Sequence, residues 1–83
     1  MIWVTEAKAL ADYRLWIRFS DGTEGEVDLK AFIESDSRPI VSALRDRAAF
    51  AAIRVEMDTV LWENGFDLAP EFLHERTKSR VTA

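Results

Sequence analysis

The chain has no cysteine among its 83 residues. Disulfide bonds and thiolate metal sites are therefore excluded, and the composition fits a reducing compartment. The first ten residues, MIWVTEAKAL, lack the basic start and the apolar run of a secretory signal, and no stretch approaches the roughly 20 apolar residues of a membrane span. We therefore expect a soluble cytoplasmic protein that makes no contact with a membrane.

Positive charge is also scarce. Lys and Arg number 11 against 15 Asp and Glu, so the net charge is -4 and the pI is about 4.9. A protein that holds nucleic acid through its phosphates needs clustered Lys and Arg. The nearest approach to such a cluster is Arg76, Lys78 and Arg80 at the C-terminal end. The charge therefore argues against a nucleic-acid partner.

Residues suited to catalysis are few. His74 is the only histidine, and no second His, Cys or nucleophile stands at a useful spacing from it. We therefore interpret His74 as a solvated helix residue. Ser20 and Ser42 lack an identifiable activating base. The sequence predicts no catalytic residue and no cofactor.

Three carboxylates near the C-terminal end, Glu63, Asp67 and Glu71, could be considered as ligands of a divalent cation. Roles in a turn and a helix explain this segment better. Asn64 and Gly65 supply turn geometry, and Asp67 ties the turn to backbone amides. Glu71 suits the first turn of a helix. The sequence therefore predicts no metal site.

Apolar and aromatic residues are plentiful. Hydrophobic residues make up 48% of the chain, which includes three Trp and five Phe. Such a composition is typical of a folded chain rather than a disordered one. The length suffices for one small core. We place a single domain at residues 1–76 and a frayed polar tail at residues 77–83.

A β-hairpin is predicted at residues 13–29, where apolar and polar residues alternate on both sides of Ser20, Asp21 and Gly22. A two-residue turn would set Phe19 against Glu24, which places a charge opposite a core residue. A three-residue loop with Gly22 in the left-handed conformation avoids this conflict. We therefore predict the three-residue loop, with these cross-strand pairs: Tyr13 with Leu29, Arg14 with Asp28, Leu15 with Val27, Trp16 with Glu26, and Arg18 with Glu24.

The remaining elements follow from shorter patterns. A first strand is predicted at residues 2–5, with a bulge or bend before Asp12, and a second hairpin is centred on Asp58 and Thr59. In that hairpin Met57 would pair with Val60 and Val55 with Trp62. The predicted helical segments are a helix at 29–33 capped by Asp28, a stretch at 40–45, a helix at 47–53 capped by Asp46, and a final helix that begins at Pro70.

These elements together predict an α+β fold. We expect an antiparallel sheet of about five strands, with two to three short helices packed on one face. A sheet covered on one side leaves its other side to water or to a partner.

One candidate interaction surface follows from this arrangement. Trp16 lies on the outer phase of its strand between Arg14 and Arg18, and Trp3 lies on the outer phase of the first strand. If those strands are neighbours, the side chains form a patch of aromatic and guanidinium groups, which are enriched at protein interfaces. The alternatives are that helices cover this face or that nearby glutamates neutralise it. We predict an interaction surface of Trp3, Arg14, Trp16 and Arg18.

Several motifs carry a resemblance to a known family: YRLWIRFSDG at 13–22, VDL at 27–29, LRDRAAF at 44–50 and WENGFDLAPEFL at 62–73. The chain resembles the small bacterial family catalogued as domain of unknown function 2442. We interpret the motif residues as structural; they are Asp21, Gly22, Asp28, Trp62, Asn64, Gly65, Asp67, Pro70 and Glu71.

The resemblance implies a compact α+β domain without an established reaction. Members occur alone, beside a gene for another small protein, or fused to a helix-turn-helix module. This context suggests a toxin-antitoxin-like or regulatory pair. We therefore expect a noncatalytic protein-interaction module, the antitoxin-like or regulatory half of such a pair, whose partner is another small protein or a second copy. Two alternatives stay open: a nucleic-acid-associated regulatory domain, and a small-ligand binder or enzyme that uses the turn from Trp62 to Glu71.

Overall fold

The computed structural model describes residues 1–77. Within this part of the chain the strands and α-helices follow in the order β1 (Val4–Leu10), β2 (Arg14–Phe19), β3 (Glu24–Asp28), α1 (Lys30–Ser35), α2 (Pro39–Ser42), α3 (Arg47–Ala51), β4 (Ile53–Glu56), β5 (Thr59–Trp62), β6 (Asp67–Leu68) and α4 (Pro70–Arg76). Residues 78–83, which form most of the predicted tail, lie outside the described residues. Thr77 is buried, and its hydroxyl donates to the Leu73 carbonyl.

The predicted hairpin forms β2 and β3, and its register is confirmed. Leu15 pairs with Val27, and Arg18 pairs with Glu24. Gly22 has a φ of 88°, as the three-residue loop requires. The competing register fails because one residue of slip would turn every buried side chain of β2 towards water.

The α+β class is confirmed, but the prediction of one sheet of about five strands is wrong. The strands form two antiparallel sheets, a first sheet in the order β1-β2-β3 and a second sheet in the order β4-β5-β6. The Val4 amide donates to the Asp58 carbonyl at 2.9 Å and so joins the two sheets. They share one hydrophobic core, formed by Val4, Leu15, Ile17, Phe19, Val27, Leu29, Ile33, Val41, Leu44, Phe50, Val60, Trp62, Phe66 and Leu73.

β1 is longer than predicted and begins later, at Val4 rather than Ile2. An irregularity in its pairing lies between Val4 and Glu6. Beyond it, Ala7 and Ala9 pair with buried residues of β2, while Lys8 between them faces outward. Alanine is only weakly hydrophobic, so the sequence of β1 shows no clear alternation of apolar and polar residues. The predicted bend corresponds to the loop Ala11–Tyr13.

The predicted register of the second hairpin is wrong. Val55 pairs with Val60 rather than Trp62, and the turn residues are Met57 and Asp58. Thr59 stays in β5 because it is buried and its hydroxyl donates to the carbonyl of Leu68 in β6. This bond, made to a strand that follows later in the chain, fixes where the turn can lie.

The turn between β4 and β5 uses unsuitable residues. Met57 and Asp58 both have positive φ, 53° and 68°, which is the geometry of a type I′ turn, and Met57 is 89% exposed. Replacing them together, Met57→Asn with Asp58→Gly, is expected to stabilise the fold by about 1 kcal/mol, because the left-handed conformation costs most residues that much. The midpoint of thermal unfolding should rise by about 4–8 °C. Met57→Ala serves as the control and should bring no gain.

The helix starts match the sequence signals. The Asp46 carboxylate accepts from the Ala49 amide at 3.0 Å, and Pro70 takes the first position of α4. The Asp28 carboxylate accepts from the Lys30 amide at 2.9 Å at the start of α1. The third helix ends at Ala51, so Ile53 belongs to β4. None of the helices within residues 1–77 is long and apolar enough to span a bilayer.

Candidate interaction surface

The first sheet has one face on the core and one face towards water. Leu15 and Ile17 of β2 are fully buried, so the residues that alternate with them point the other way. The strand pairings give the members of this outer face: Glu6, Lys8 and Leu10 of β1, Arg14, Trp16 and Arg18 of β2, and Glu24, Glu26 and Asp28 of β3.

Trp16 lies at the centre of the outer face. Lys8 and Glu26 are its cross-strand partners. The Lys8 ammonium lies 5.6 Å from the centroid of the Trp16 ring, and the Arg18 guanidinium carbon lies 5.3 Å from it. Both cations are within the range of a cation-π interaction. The indole therefore lies within cation-π range of two positive groups on the outer face of the sheet.

On the outer face, ion pairs connect β2 to both of its neighbouring strands, β1 and β3. Arg14 pairs with Glu26 at 2.7 Å, and Arg18 pairs with Glu24 at 3.0 Å and with Glu6 at 3.2 Å. These side chains are 34% to 49% exposed, so each pair adds little stability. Arg14 reaches the diagonal Glu26 because the carboxylate of Asp28, its cross-strand partner, accepts from the Lys30 amide instead. The pairs fix the guanidinium groups beside Trp16.

The structure brings together three of the four residues predicted for the surface. Trp3 precedes β1 and does not stand opposite Trp16. Its amide donates to the Ser20 hydroxyl at 3.2 Å, and its carbonyl accepts from the Ser20 amide at 2.9 Å. Trp3 is 42% exposed and lies at the end of the first sheet. Lys8, rather than Trp3, is the residue of β1 that lies beside Trp16. Only an alternation of apolar and polar residues continued through β1 could have predicted this.

The motif that begins at Trp62 builds the fold. The Trp62 side chain is 1% exposed, and its indole nitrogen donates to the Phe50 carbonyl at 2.9 Å. The Asn64 side chain accepts from the Phe66 amide and donates to the Ile40 carbonyl, at 3.0 and 2.9 Å. These bonds tie the turn after β5 to helix α2.

The prediction for Asp67 is wrong, since Asn64 and not Asp67 binds the backbone amide of the turn. Gly65 has a φ of 93°, which explains the glycine there. Asp67 and Glu71 are exposed, at β6 and in the first turn of α4. Within residues 1–77 no three acidic, His or Cys side chains are grouped as metal ligands would be.

His74 is not the solvated residue that the sequence suggested. Its side chain is 20% exposed, and its ring packs edge-on against Phe19 with centroids 4.8 Å apart. Nε2 lies 3.2 Å from an Asp21 carboxylate oxygen and 3.3 Å from the Thr23 hydroxyl. Helix α4 is thereby tied to the loop of the first hairpin. A separation of 53 residues leaves no sequence pattern that could have predicted this contact.

The Asp21 carboxylate is held in its charged form. The Thr23 hydroxyl and amide both donate to it, at 2.6 and 3.0 Å, and these bonds, with His74 adding to them, lower the pKa of Asp21 below its usual range. A lowered pKa in the folded state stabilises the fold above the pKa of the unfolded state, near 3.9. That contribution is lost as the pH falls through the folded value.

The variant Asp21→Asn tests this charge. Asparagine keeps an acceptor for the Thr23 amide but carries no charge, so the variant should be less stable than the wild type at pH 7. The difference should shrink as the pH falls below about 4, where the carboxylate of the unfolded chain is protonated first, and it should vanish below the lowered pKa of the folded state. Thermal midpoints measured from pH 7 to 2.5 show this directly. Thr23→Val, which removes the largest cause of the shift, should flatten the acid limb, whereas an unchanged gap at every pH would contradict the account.

Comparison with known proteins gives a similar solved structure and a family for this chain. It is similar to the crystal structure of "Putative DNA Binding Protein NE0471" from Nitrosomonas europaea ATCC 19718, with a TM-score of 0.76 and 27% sequence identity. The match covers 94% of this chain and 50% of that one, so the chain spans about half the length of NE0471. No curated protein matches the chain. A family model matches residues 4–79, and the chain belongs to that family, described as protein of unknown function (DUF2442).

Proposed function

We propose that the protein is a noncatalytic protein-interaction module of the cytoplasm, the antitoxin-like or regulatory half of a small protein pair. Its docking surface is the outer face of the first sheet. The observation that carries the proposal is a half-buried Trp16 within cation-π range of both Lys8 and Arg18, in the middle of the outer face of the first sheet. Tryptophan and arginine supply much of the binding energy at protein interfaces.

The charges of the outer face favour a protein partner. Lys8, Arg14 and Arg18 stand among four carboxylates, and both arginines are already paired with glutamates. A surface for phosphates would need an excess of positive charge. A mixed face around an aromatic centre suits a protein surface with its own mixed charges.

The test is coelution with the product of the gene next to that of this chain, where the family resemblance leads us to expect another small protein. The wild-type chain, tagged and co-expressed with that protein, should elute as a complex of stoichiometric mass by light scattering. Trp16→Glu should abolish the complex, because it replaces the aromatic centre with a charge. The folded state should survive the change, since a cross-strand pair on the outer face contributes only about 0.2–1 kcal/mol.

A matched control separates the face from a general effect of added charge. Ile40 on α2 is 39% exposed and lies away from the outer face, so Ile40→Glu adds the same charge at another exposed apolar site. The complex should persist in this variant. A wild-type chain that elutes alone beside its neighbour, or a complex that survives Trp16→Glu, would contradict the proposal.

A nucleic-acid-associated regulatory domain is the second candidate, and the description of NE0471 as a "Putative DNA Binding Protein" favours it. The match covers half of that protein, so it does not show which half of NE0471 the description refers to. This function predicts retention on immobilised duplex DNA that weakens steeply with salt. Lys8→Glu, which reverses a positive charge on the outer face, would reduce the retention.

A further inference from the structure

A cavity opens beside the last row of the outer face. It has a volume of about 340 Å³ and lies between the loop Ala11–Tyr13 and helix α3. Leu10 lines the cavity and also pairs with Arg14, so it belongs to both surfaces. The cavity therefore continues the docking surface at one end.

The walls of the cavity are mainly apolar and include one negatively charged and one positively charged side chain. Alanines at several positions leave the space open, and the other lining residues are larger or charged; together they are Ala9, Leu10, Ala11, Asp12, Tyr13, Arg47, Phe50 and Ala51. Within residues 1–77, neither Asp12 nor Arg47 takes part in an ion pair. An apolar recess with one acid and one base is complementary to an apolar side chain between two charged neighbours.

The loop that forms one wall is strained and firmly held. Asp12 and Tyr13 both have a φ of 60°, which is rare for residues other than glycine and costly for a tyrosine. The Tyr13 hydroxyl donates to the Arg45 carbonyl, and its ring packs edge-on against Phe50 at 5.3 Å. The cavity is therefore formed before any partner arrives, which lowers the entropy cost of filling it.

We propose that this cavity receives an apolar anchor side chain of the protein partner, flanked by a basic residue that meets Asp12 and an acidic residue that meets Arg47. The inference rests on the proposed function and names the chemistry of the partner at that site. Anchor side chains that fill pockets carry much of the affinity of protein interfaces.

A short peptide tests the cavity without the partner. Acetyl-Lys-Leu-Glu-amide should shift the amide resonances of residues 9–13 and 47–51 of the full chain in a saturable manner. Acetyl-Lys-Ala-Glu-amide should bind about tenfold more weakly, because it buries less apolar surface. Equal binding of both peptides, or no shifts at millimolar concentrations, would overturn the inference. Shifts at these positions that depend on protein concentration alone would overturn it in favour of a second copy.

Two alanines of the same helix supply the variant and its control. Ala51 lines the cavity, and Ala48 is exposed on α3 but does not line it. Ala51→Leu should fill the cavity and abolish both peptide binding and the complex, whereas Ala48→Leu should preserve them. A complex lost with Trp16→Glu but kept with Ala51→Leu would overturn the inference and leave the proposed function standing. If the neighbouring protein does not bind at all, the peptide titration still tests whether the cavity binds an apolar side chain between two charged neighbours.

Discussion

Trp62→Ala is expected to remove a large share of the stability of the protein at 25 °C. The indole is 1% exposed and packs against Phe50 and Phe66 with ring centroids 5.9 and 5.7 Å away. Truncating a buried aromatic side chain to alanine typically costs about 3–5 kcal/mol. A domain of this size has about 4–12 kcal/mol in total, so the loss takes at least about a quarter of its stability. Urea unfolding followed by circular dichroism measures the change.

Trp62→Phe provides the matched control for that loss. Phenylalanine fills much of the space but removes the indole donor, which leaves the Phe50 carbonyl without its 2.9 Å partner. The cost should be about 1–3 kcal/mol, well below that of alanine. If alanine cost less than about 1 kcal/mol, the place of Trp62 at the centre of the shared core would be wrong.

The second large effect is expected at Arg45, whose guanidinium group closes the end of α1. Its nitrogens donate to the carbonyls of Ile33, Glu34 and Asp36, at 3.3, 3.0 and 3.3 Å. A cation at a helix C-terminus is favourable, and it satisfies carbonyls that have no partner in the helix. Arg45→Ala should therefore destabilise the fold by about 2 kcal/mol in urea unfolding.

Two further variants test this assignment. Arg45→Lys keeps the charge but cannot reach three carbonyls at once, so its loss should be about half that of alanine. Arg47 lies two residues away and is exposed like Arg45, but within residues 1–77 its side chain makes no such bonds to carbonyls, so Arg47→Ala should change stability by less than about 0.5 kcal/mol. Equal effects at the two positions would show that Arg45 acts only through general charge.

The part of the fold that could be predicted is the part set by local patterns. The register of the first hairpin followed from opposite charges and apolar pairs that agree in only one alignment. Asp46 and Pro70 marked helix starts because a cap and a fixed φ act on their immediate neighbours. Each of these signals depends on residues close together in the chain.

Contacts between distant segments could not be predicted in this way. Whether the strands join one sheet or two depends on where β1 meets the turn between β4 and β5, and no periodicity in the sequence shows that contact. The turn at Met57 and Asp58 was misplaced because a bond from Thr59 to the carbonyl of Leu68 sets the register. The link from His74 to Asp21 likewise joins two ends of the sequence.

The candidate site was predictable in its centre and not at its margins. Arg14, Trp16 and Arg18 alternate on a single strand, so the pattern places them together. Lys8 was missed because the alanines of β1 obscure its phase, and Trp3 was misplaced because β1 begins after it, at Val4, with an irregular pairing between Val4 and Glu6. The LRDRAAF and WENGFDLAPEFL motifs stabilise the core, which explains why they identify the family without indicating a reaction.

The most direct test of the docking surface uses the three tryptophan indole N–H signals as reporters. The ¹⁵N-labelled chain is titrated with the unlabelled protein encoded beside it. We expect the Trp16 signal to shift strongly while that of buried Trp62 stays in place, because binding covers the outer face without disturbing the core. A complex that leaves the Trp16 signal unchanged would contradict the account.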